Sequence, residues 1–150
     1  FFAGTDYQVR DSIATLANAM DVGAPSNFER LCWHYPDPTA LRAAFEVHSV
    51  DDETIRKTIR SGPGQYGKVF CPHTACAFHV LEGLRDRGAA GHWAIAATAH
   101  PAKFETIVEP LVGHPVDSPT ALAELLSRPS HAEPIKADYV EVSEALKRSL

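Results

Sequence analysis

The sequence lacks the features that direct a chain into a membrane, onto nucleic acid or into a disulfide framework. Its longest apolar stretches, such as Trp93–Ala97, are far too short to span a bilayer. Its net charge is −5, and its basic residues are scattered rather than gathered into a stripe. Its three cysteines have no repeated paired spacing, which is typical of reduced thiols. We therefore expect a cytoplasmic protein with neither nucleic acid nor a membrane as a partner.

Motifs of several common enzyme classes are also absent. The chain has eight histidines but no H-E-x-x-H pair and no Cys/His quartet, so no metal site is expected. It has no G-x-S-x-G elbow, which argues against a serine hydrolase. Gly62–Val69 fits the kinase pattern G-x-G-x-x-G-x-V, but it follows a predicted helix and precedes a predicted strand, the reverse of the usual order in nucleotide-binding loops. We therefore interpret Gly62-Pro63-Gly64 as the end of a helix and a turn.

The composition is that of a globular protein, with 45% hydrophobic and 22% charged residues. Its 150 residues are enough material for one domain. The first residues, Phe1–Gly4, include neither an initiator methionine nor the basic region of a signal peptide. We therefore expect residues 1–150 to be a single incomplete domain that begins within a longer protein.

Short apolar stretches alternate with helical patterns along much of the chain. Three stretches are predicted strands: Glu46–Val50, Lys68–Cys71 and Trp93–Ala97. The last is apolar on both faces, which is typical of a parallel strand covered by helices on both sides. The alternation of strand and helix predicts the α/β class with an open parallel sheet.

The predicted helices begin at recognisable capping signals. Ser26-Asn27-Phe28-Glu29 has the form of a capping box, and Asp37-Pro38 places a cap directly before an N1 proline. Further helices are predicted at residues 13–19, after Asp51, from Pro72, from Pro101, from Ser118-Pro119 and in the tail at 137–150.

The end of the third predicted strand is the best candidate for a site. Thr98-Ala99-His100-Pro101 follows that strand, and Pro72-His73-Thr74-Ala75 follows the strand before it. Ligands of open α/β sheets bind outside the carboxyl ends of strands, so the two loops are expected to face one pocket. The Thr98 hydroxyl can donate and accept a hydrogen bond, which suits a heteroaromatic nitrogen. The alternative is that Thr98 caps the following helix.

Four segments together resemble the threonine synthase family. They are ATLANAMD at 14–21, PSNFERL at 25–31, PHTA at 72–75 and TAHPAKF at 98–104. Their order and spacing also match, and the resemblance covers about residues 1–130, leaving 131–150 as a helical tail. It implies the three-layer αβα open parallel sheet of the large domain in a fold-type II pyridoxal-phosphate enzyme. It also implies a lyase of threonine biosynthesis that converts O-phospho-L-homoserine and water to L-threonine and phosphate.

The resemblance assigns expected roles to individual residues. It implies that Thr98 contacts the pyridine nitrogen of pyridoxal 5'-phosphate, with His73, Thr74 and Ala99 lining the same pocket. Arg30 is a candidate for binding the substrate phosphate.

The catalytic centre implied by the resemblance is incomplete in this sequence. The family's Schiff-base lysine and its glycine-rich phosphate loops match no segment here, and none of the five lysines stands in the lysine motif. We therefore expect the chain to be inactive alone and to need the missing N-terminal portion. Three short predicted strands leave edges and apolar faces uncovered, which also favours self-association. The alternative function is a non-catalytic α/β module for binding or assembly.

Overall fold

The computed structural model describes residues 1–4, 6–130 and 132–148. Within those ranges 52% of the chain is helical and no residue forms a strand. The predicted α/β class, with its three-layer αβα open parallel sheet, is therefore wrong for the described chain. The α-helices are α1 (Asn27–His34), α2 (Pro38–Ala44), α3 (Asp52–Tyr66), α4 (Pro72–Asp86), α5 (Glu105–Val112), α6 (Thr120–Leu126) and α7 (Tyr139–Arg148), with 3₁₀ turns at Asn18–Met20 and Pro101–Phe104.

The three predicted strands are extended segments that do not pair. In the described part of the chain, no backbone hydrogen bond joins Glu46–Val50, Lys68–Cys71 and Trp93–Ala97 to one another. A sheet requires neighbouring strands in hydrogen-bonding register, and apolar side chains alone do not provide it. Their patterns therefore predicted extended backbone where it occurs, but the inferred pairing was wrong.

Two predicted helix starts are confirmed by capping hydrogen bonds. The Asp37 side chain accepts from the Thr39 amide at 2.9 Å ahead of α2, and Asp51 accepts from the Thr54 amide at 2.7 Å ahead of α3. The start of α1 after Ser26 is also confirmed, although the Ser26 side chain makes no capping bond.

Two local predictions in the first half of the chain are wrong. A helix was predicted at residues 13–19, but the chain there forms only the 3₁₀ turn at Asn18–Met20. Gly62-Pro63-Gly64 was predicted to end a helix, but α3 continues through it to Tyr66. Its C-cap is Gly67, whose φ of +61° glycine adopts without steric cost. Because Gly62 and Gly64 are helical, the kinase-like glycine pattern forms no loop.

The core lies where α3, α4 and α5 meet. Ile55 and Ile59, one turn apart on α3, pack with Ala75 of α4 and Val108 of α5, and all four are buried. Burial of each isoleucine contributes about 1.5–3 kcal/mol. Phe70 joins the same cluster, so the segment between α3 and α4 is tied to the core.

An aromatic cluster extends this core. The rings of Phe70 and Phe78 stack at 4.0 Å between centroids, and Tyr66 packs against both. The Tyr66 hydroxyl donates to Oε1 of Glu82 at 2.6 Å, which joins the end of α3 to α4.

The chain forms two compact units, Phe1–Asp117 and Ser118–Leu150. The second contains α6 and α7, and Arg148 forms an ion pair with Glu133 at 3.0 Å within it. In the tail at 131–150, α7 occupies Tyr139–Arg148, while residues 131, 149 and 150 lie outside the described ranges. The expectation of one incomplete domain stays a prediction. No described helix is both long enough and apolar enough to cross a membrane.

Candidate functional site

Residues of both predicted loops line one cavity of about 580 Å³ in the first unit. We call it the Thr98 cavity. Its lining residues are Lys68–Cys71, Thr74, Phe78, Ala97–Pro101, Val116 and Asp117. Thr74, Thr98 and Ala99, which were predicted to share a pocket, thus line one cavity, and their role at a cofactor stays a prediction.

The N-terminus of α4 supplies one wall of the Thr98 cavity. Cys71 is the N-cap and Pro72 follows it, an arrangement in which the missing proline N–H costs no helical hydrogen bond. Thr74 is buried, and its Oγ1 lies 3.2 Å from Sγ of Cys71. This contact limits the rotation of the Thr74 hydroxyl. Cys71 is 1% exposed, and no sequence pattern pointed to it as a site residue.

The opposite wall carries Thr98 on an extended segment. Thr98 is exposed, and its hydroxyl has no hydrogen-bond partner in the described chain. The next 3₁₀ turn is capped by His100, whose Nδ1 accepts from the Ala102 amide at 3.2 Å. The interpretation of Thr98 as a helix cap is therefore wrong, and its hydroxyl is free to bind a group in the cavity.

His73 faces a different and larger cavity of about 780 Å³, which we call the His73 cavity. Successive residues of an α-helix point about 100° apart, so His73 and Thr74 cannot face the same direction. The lining residues are Arg10–Ile13, Thr15, Ala17, Met20–Gly23, Glu46–Val50, His73, Cys76, Ala77, Val80, Leu81, Leu84 and Trp93–Ala96. The structure therefore separates His73 from the other three residues predicted to share its pocket.

The His73 ring bridges two distant parts of the first unit. Its Nε2 accepts a hydrogen bond from the backbone amide of Ala19 at 3.1 Å, and its ring packs against Phe104 with centroids 5.1 Å apart. Since Nε2 accepts, a neutral ring carries its proton on Nδ1. Nδ1 is buried and has no partner in the described chain.

Further hydrogen bonds hold the segment that His73 contacts. Asp21 accepts from the amide and the hydroxyl of Thr15, both at 2.6 Å, and Asp52 accepts from the Leu16 amide at 2.9 Å. Ala17, between these anchors, is buried in the core. Residues 15–21 therefore form a fixed wall of the His73 cavity. The role of Asp52 was missed because the sequence pattern suggested only a negative charge at the start of α3.

Arg30 lies on α1 and lines neither cavity. Its guanidinium donates to Oδ1 of Asn27, one turn earlier on the same helix, and its side chain is exposed. A partner on the same helix leaves its other N–H groups able to bind an anion.

The Cys76 thiol in the His73 cavity is a poor candidate for a nucleophile. Burial raises the pKa of the Cys76 thiol, so the protonated and less nucleophilic form is favoured. Among the described residues, no group of three or more His, Cys, Asp or Glu side chains is placed to hold a metal ion. The Thr98 cavity offers the hydroxyls of Thr74 and Thr98 as hydrogen-bonding groups, and its lining also includes Lys68, His100 and Asp117.

Comparisons with known proteins converge on one family. The family model described as threonine synthase, C-terminal, matches residues 74–146. Threonine synthase of Escherichia coli (strain K12) is 35% identical over 126 residues, covering 84% of this chain and 29% of the relative.

Two solved structures resemble the fold. The crystal structure of threonine synthase from Escherichia coli matches with a TM-score of 0.78 and 30% identity, over 100% of this chain and 34% of that one. The structure of PLP-bound threonine synthase from Brucella melitensis matches with a TM-score of 0.70 and 25% identity, over 98% of this chain and 37% of that one. The chain thus spans about a third of the length of these proteins.

Proposed function

Since this chain belongs to the threonine synthase family, we propose that it is the C-terminal portion of an enzyme that makes L-threonine. The reaction is the conversion of O-phospho-L-homoserine and water to L-threonine and phosphate. Pyridoxal 5'-phosphate, when bound, supplies the electron sink for this chemistry. The observation that carries the proposal is the meeting of Thr74 and Thr98, from two separated family motifs, on one cavity.

The residues around Thr98 suit the edge of the cofactor that carries its pyridine nitrogen. The Thr98 hydroxyl is exposed and unpaired, so it can hydrogen-bond to a pyridine nitrogen without breaking an existing contact. A cavity of about 580 Å³ is within the usual range for small-molecule sites. A hydroxyl partner is neutral, so it leaves the ring nitrogen unprotonated and moderates the electron sink. Thr74 and Ala99 then shape the wall beside that contact.

Arg30 and His73 are given two further proposed roles. Arg30 is proposed to bind the substrate phosphate, because its fork of N–H groups has only Asn27 as a partner on α1. His73 is proposed to hold the start of α4 in position beside the Thr98 cavity. It accepts a hydrogen bond from the Ala19 amide, while its neighbour Thr74 lines that cavity.

The lysine that would carry the cofactor is proposed to lie in the missing N-terminal portion. Of the five lysines, Lys68 lines the Thr98 cavity, but it is exposed and stands outside any lysine motif of the family. The chain alone is therefore proposed to be inactive, and its partners are that portion and O-phospho-L-homoserine. Lys68→Gln in the full-length protein should keep the visible absorbance of the bound cofactor.

The central test is the Thr98 hydroxyl in the full-length protein. Thr98→Val preserves shape and removes the hydrogen bond, whereas Thr98→Ser preserves the hydroxyl. One neutral hydrogen bond contributes about 1 kcal/mol, so Thr98→Val should weaken cofactor binding roughly fivefold, with a matching change in the cofactor spectrum. Thr98→Ser should bind nearly as the parent does.

Two results would contradict the proposal. Equal cofactor affinity and spectra for Thr98→Val and the parent would remove Thr98 from the cofactor site. Absence of phosphate release from O-phospho-L-homoserine by the full-length protein would favour a non-catalytic binding module instead.

A further inference from the structure

We propose that His100 binds the occupant of the Thr98 cavity, by donating a hydrogen bond from its Nε2–H to an acceptor atom of pyridoxal 5'-phosphate. This inference rests on the proposed function, which supplies that cofactor. His100 belongs to the motif TAHPAKF, in which the family resemblance assigned roles only to Thr98 and Ala99. His100 adds a group that can only donate, so it requires an acceptor on the ligand.

The turn that His100 caps fixes the tautomer of its ring. Nδ1 accepts a hydrogen bond from the backbone amide of Ala102 at 3.2 Å. A ring nitrogen that accepts a hydrogen bond carries no proton, so the single N–H of the imidazole lies at Nε2. The Thr98 hydroxyl can donate or accept, whereas His100 can only donate at Nε2.

The same hydrogen bond limits where the His100 ring can point. Nδ1 is held against the 3₁₀ turn at Pro101–Phe104, and Nε2 is the ring nitrogen farther from the backbone. The side chain is half-buried and lines the Thr98 cavity. Because turning the ring away from this position breaks the capping bond, Nε2–H is kept at the cavity wall.

Nε2–H of His100 has no acceptor among the residues that the structure describes. Two charged side chains also line the cavity, and neither accepts from it. Lys68 is exposed, and its ammonium group is itself only a donor. Asp117 is exposed, and its carboxylate makes no hydrogen bond or ion pair with His100 within the described chain. The acceptor therefore comes from solvent or from a group bound in the cavity.

Filling the cavity changes the surroundings of this donor. Water can accept from Nε2–H while the cavity is open, but a ring that occupies the cavity displaces that water. A covered N–H group is almost always paired in native proteins, because leaving it unpaired is costly. Pyridoxal 5'-phosphate offers acceptors at its unprotonated ring nitrogen and at its oxygens, whereas a purely apolar ligand offers none.

Two substitutions in the full-length protein separate the two ring nitrogens of His100. His100→Asn keeps an acceptor near the Nδ1 position and can cap the turn, but it lacks the distal N–H. One neutral hydrogen bond contributes about 1 kcal/mol, so His100→Asn should weaken the binding of pyridoxal 5'-phosphate to the cofactor-free protein roughly fivefold. Its thermal unfolding midpoint without cofactor should match that of the parent.

His100→Gln should show the opposite pattern, because it keeps a donor near the Nε2 position and loses the acceptor near Nδ1. Its affinity for the cofactor should stay within about twofold of the parent's, while its thermal midpoint without cofactor should fall. The matched controls are His92→Asn and His92→Gln, because His92 is exposed and lines neither cavity. Parent-like affinity of His100→Asn would overturn the inference, and so would a His100→Gln variant that binds more weakly than His100→Asn.

Two further variants identify the acceptor. Asp117→Asn removes the nearby carboxylate, and a loss of affinity as large as that of His100→Asn would assign Nε2–H to Asp117 and overturn the inference. Thr98→Val tests whether His100 acts through the Thr98 hydroxyl. If both residues contact the cofactor independently, the losses multiply to roughly 25-fold in the double variant. A double variant no weaker than Thr98→Val would make the Thr98 hydroxyl the acceptor and overturn the direct contact.

Phosphate release from O-phospho-L-homoserine, measured on the same samples at saturating cofactor, separates this inference from the proposed function. An active enzyme whose His100→Asn variant binds cofactor as the parent does contradicts the inference alone. An inactive parent whose variants show the expected affinities contradicts the proposed reaction and supports the inference. A parent that binds no cofactor overturns both.

Discussion

A side chain on residue 23 would overlap the backbone carbonyl of Arg10, and the chain places Gly23 there. The Arg10 amide donates to the Gly23 carbonyl at 3.3 Å, and the Gly23 amide donates to the Ser12 hydroxyl at 3.0 Å. The two segments therefore approach more closely than any residue with a Cβ allows. Both contribute residues to the His73 cavity, so this contact shapes that cavity.

Gly23→Ala is expected to separate these segments. The Cβ meets backbone rather than a flexible side chain, so the first segment must move, at a cost of about 1–3 kcal/mol. Urea unfolding of the full-length protein measures this loss, and exchange at 10–12 reports the movement. The control is Gly64→Ala, a site with no positive φ and no atom within 4 Å of the new Cβ. Equal stability of Gly23→Ala and the parent would show that the close approach does not occur.

A second pair of glycines gives a comparison within one helix. A Cβ on Gly62 would lie 2.8 Å from the Lys68 carbonyl and 2.9 Å from the Phe70 ring, whereas one on Gly64 meets nothing within 4 Å. Gly62→Ala should cost about 1–3 kcal/mol, because it displaces the segment that carries Phe70 into the core. Gly64→Ala should stabilise the protein by about 0.5–1 kcal/mol, because alanine favours the helix. Denaturant midpoints of the two variants should move in opposite directions, and movement in the same direction would contradict this packing.

The helix boundaries show where sequence reasoning succeeded and where it failed. Asp37-Pro38 and Asp51 predicted helix starts correctly, because capping depends on neighbouring residues only. Gly62-Pro63-Gly64 predicted a helix end wrongly, because Gly62 serves a contact with the distant Phe70. A local pattern cannot distinguish a glycine that ends a helix from one that admits a neighbouring segment.

For the fold class and the site, too, local features were predicted correctly and features that depend on distant residues were not. Trp93–Ala97 is extended as expected, but pairing depends on adjacent strands, which an apolar pattern does not report. Thr74 and Thr98 line one cavity, although the sheet from which a shared pocket was inferred was wrong. Placing His73 in that pocket failed because helical geometry turns it away from Thr74. The catalytic roles of Thr98 and Arg30 stay predictions.

The capping carboxylate of α3 predicts an acid-sensitive contribution to stability. The hydrogen bond from the Thr54 amide holds the pKa of Asp51 below its usual value. Because the pKa of Asp51 is lower in the folded state, its ionised form stabilises the fold. This stabilisation is complete above the unfolded-state pKa of about 3.9 and is lost as pH falls through the folded-state pKa. The parent should therefore be more stable than Asp51→Ala at neutral pH, and this difference in the free energy of unfolding should become smaller as pH falls through this range. Thermal unfolding from neutral to acidic pH measures the gap, and a constant gap would contradict the cap.

Asp51→Asn separates the effect of the capping hydrogen bond on stability from the effect of the negative charge. Asparagine is also a good N-cap, so this variant should keep most of the stability at neutral pH. It cannot titrate, and its stability should therefore lack the acid-dependent step that Asp51 contributes. A variant as unstable as Asp51→Ala at neutral pH would show that the negative charge, rather than the hydrogen bond, dominates at the start of α3.

The contact between Tyr66 and Glu82 predicts a loss of stability in alkali. The hydrogen bond to Glu82, together with partial burial, raises the pKa of the Tyr66 hydroxyl above its usual value near 10. A raised folded pKa means that the contribution is present below the unfolded value and is lost as pH rises through the folded value. Tyr66→Phe should lower the free energy of unfolding at neutral pH. The difference in this free energy between Tyr66→Phe and the parent should disappear in strong alkali.

Thermal unfolding between neutral and strongly alkaline pH measures that gap, and the ultraviolet absorbance of ionised tyrosine reports the titration itself. Tyr139→Phe is the control, because Tyr139 is 86% exposed on α7 and loses no packed contact on substitution. The donated hydrogen bond requires the protonated hydroxyl, and ionisation would place a second negative charge beside Glu82. If the gap between Tyr66→Phe and the parent stayed constant across this range, the hydroxyl would not be bonded to Glu82, and the join between α3 and α4 would rest on aromatic packing alone.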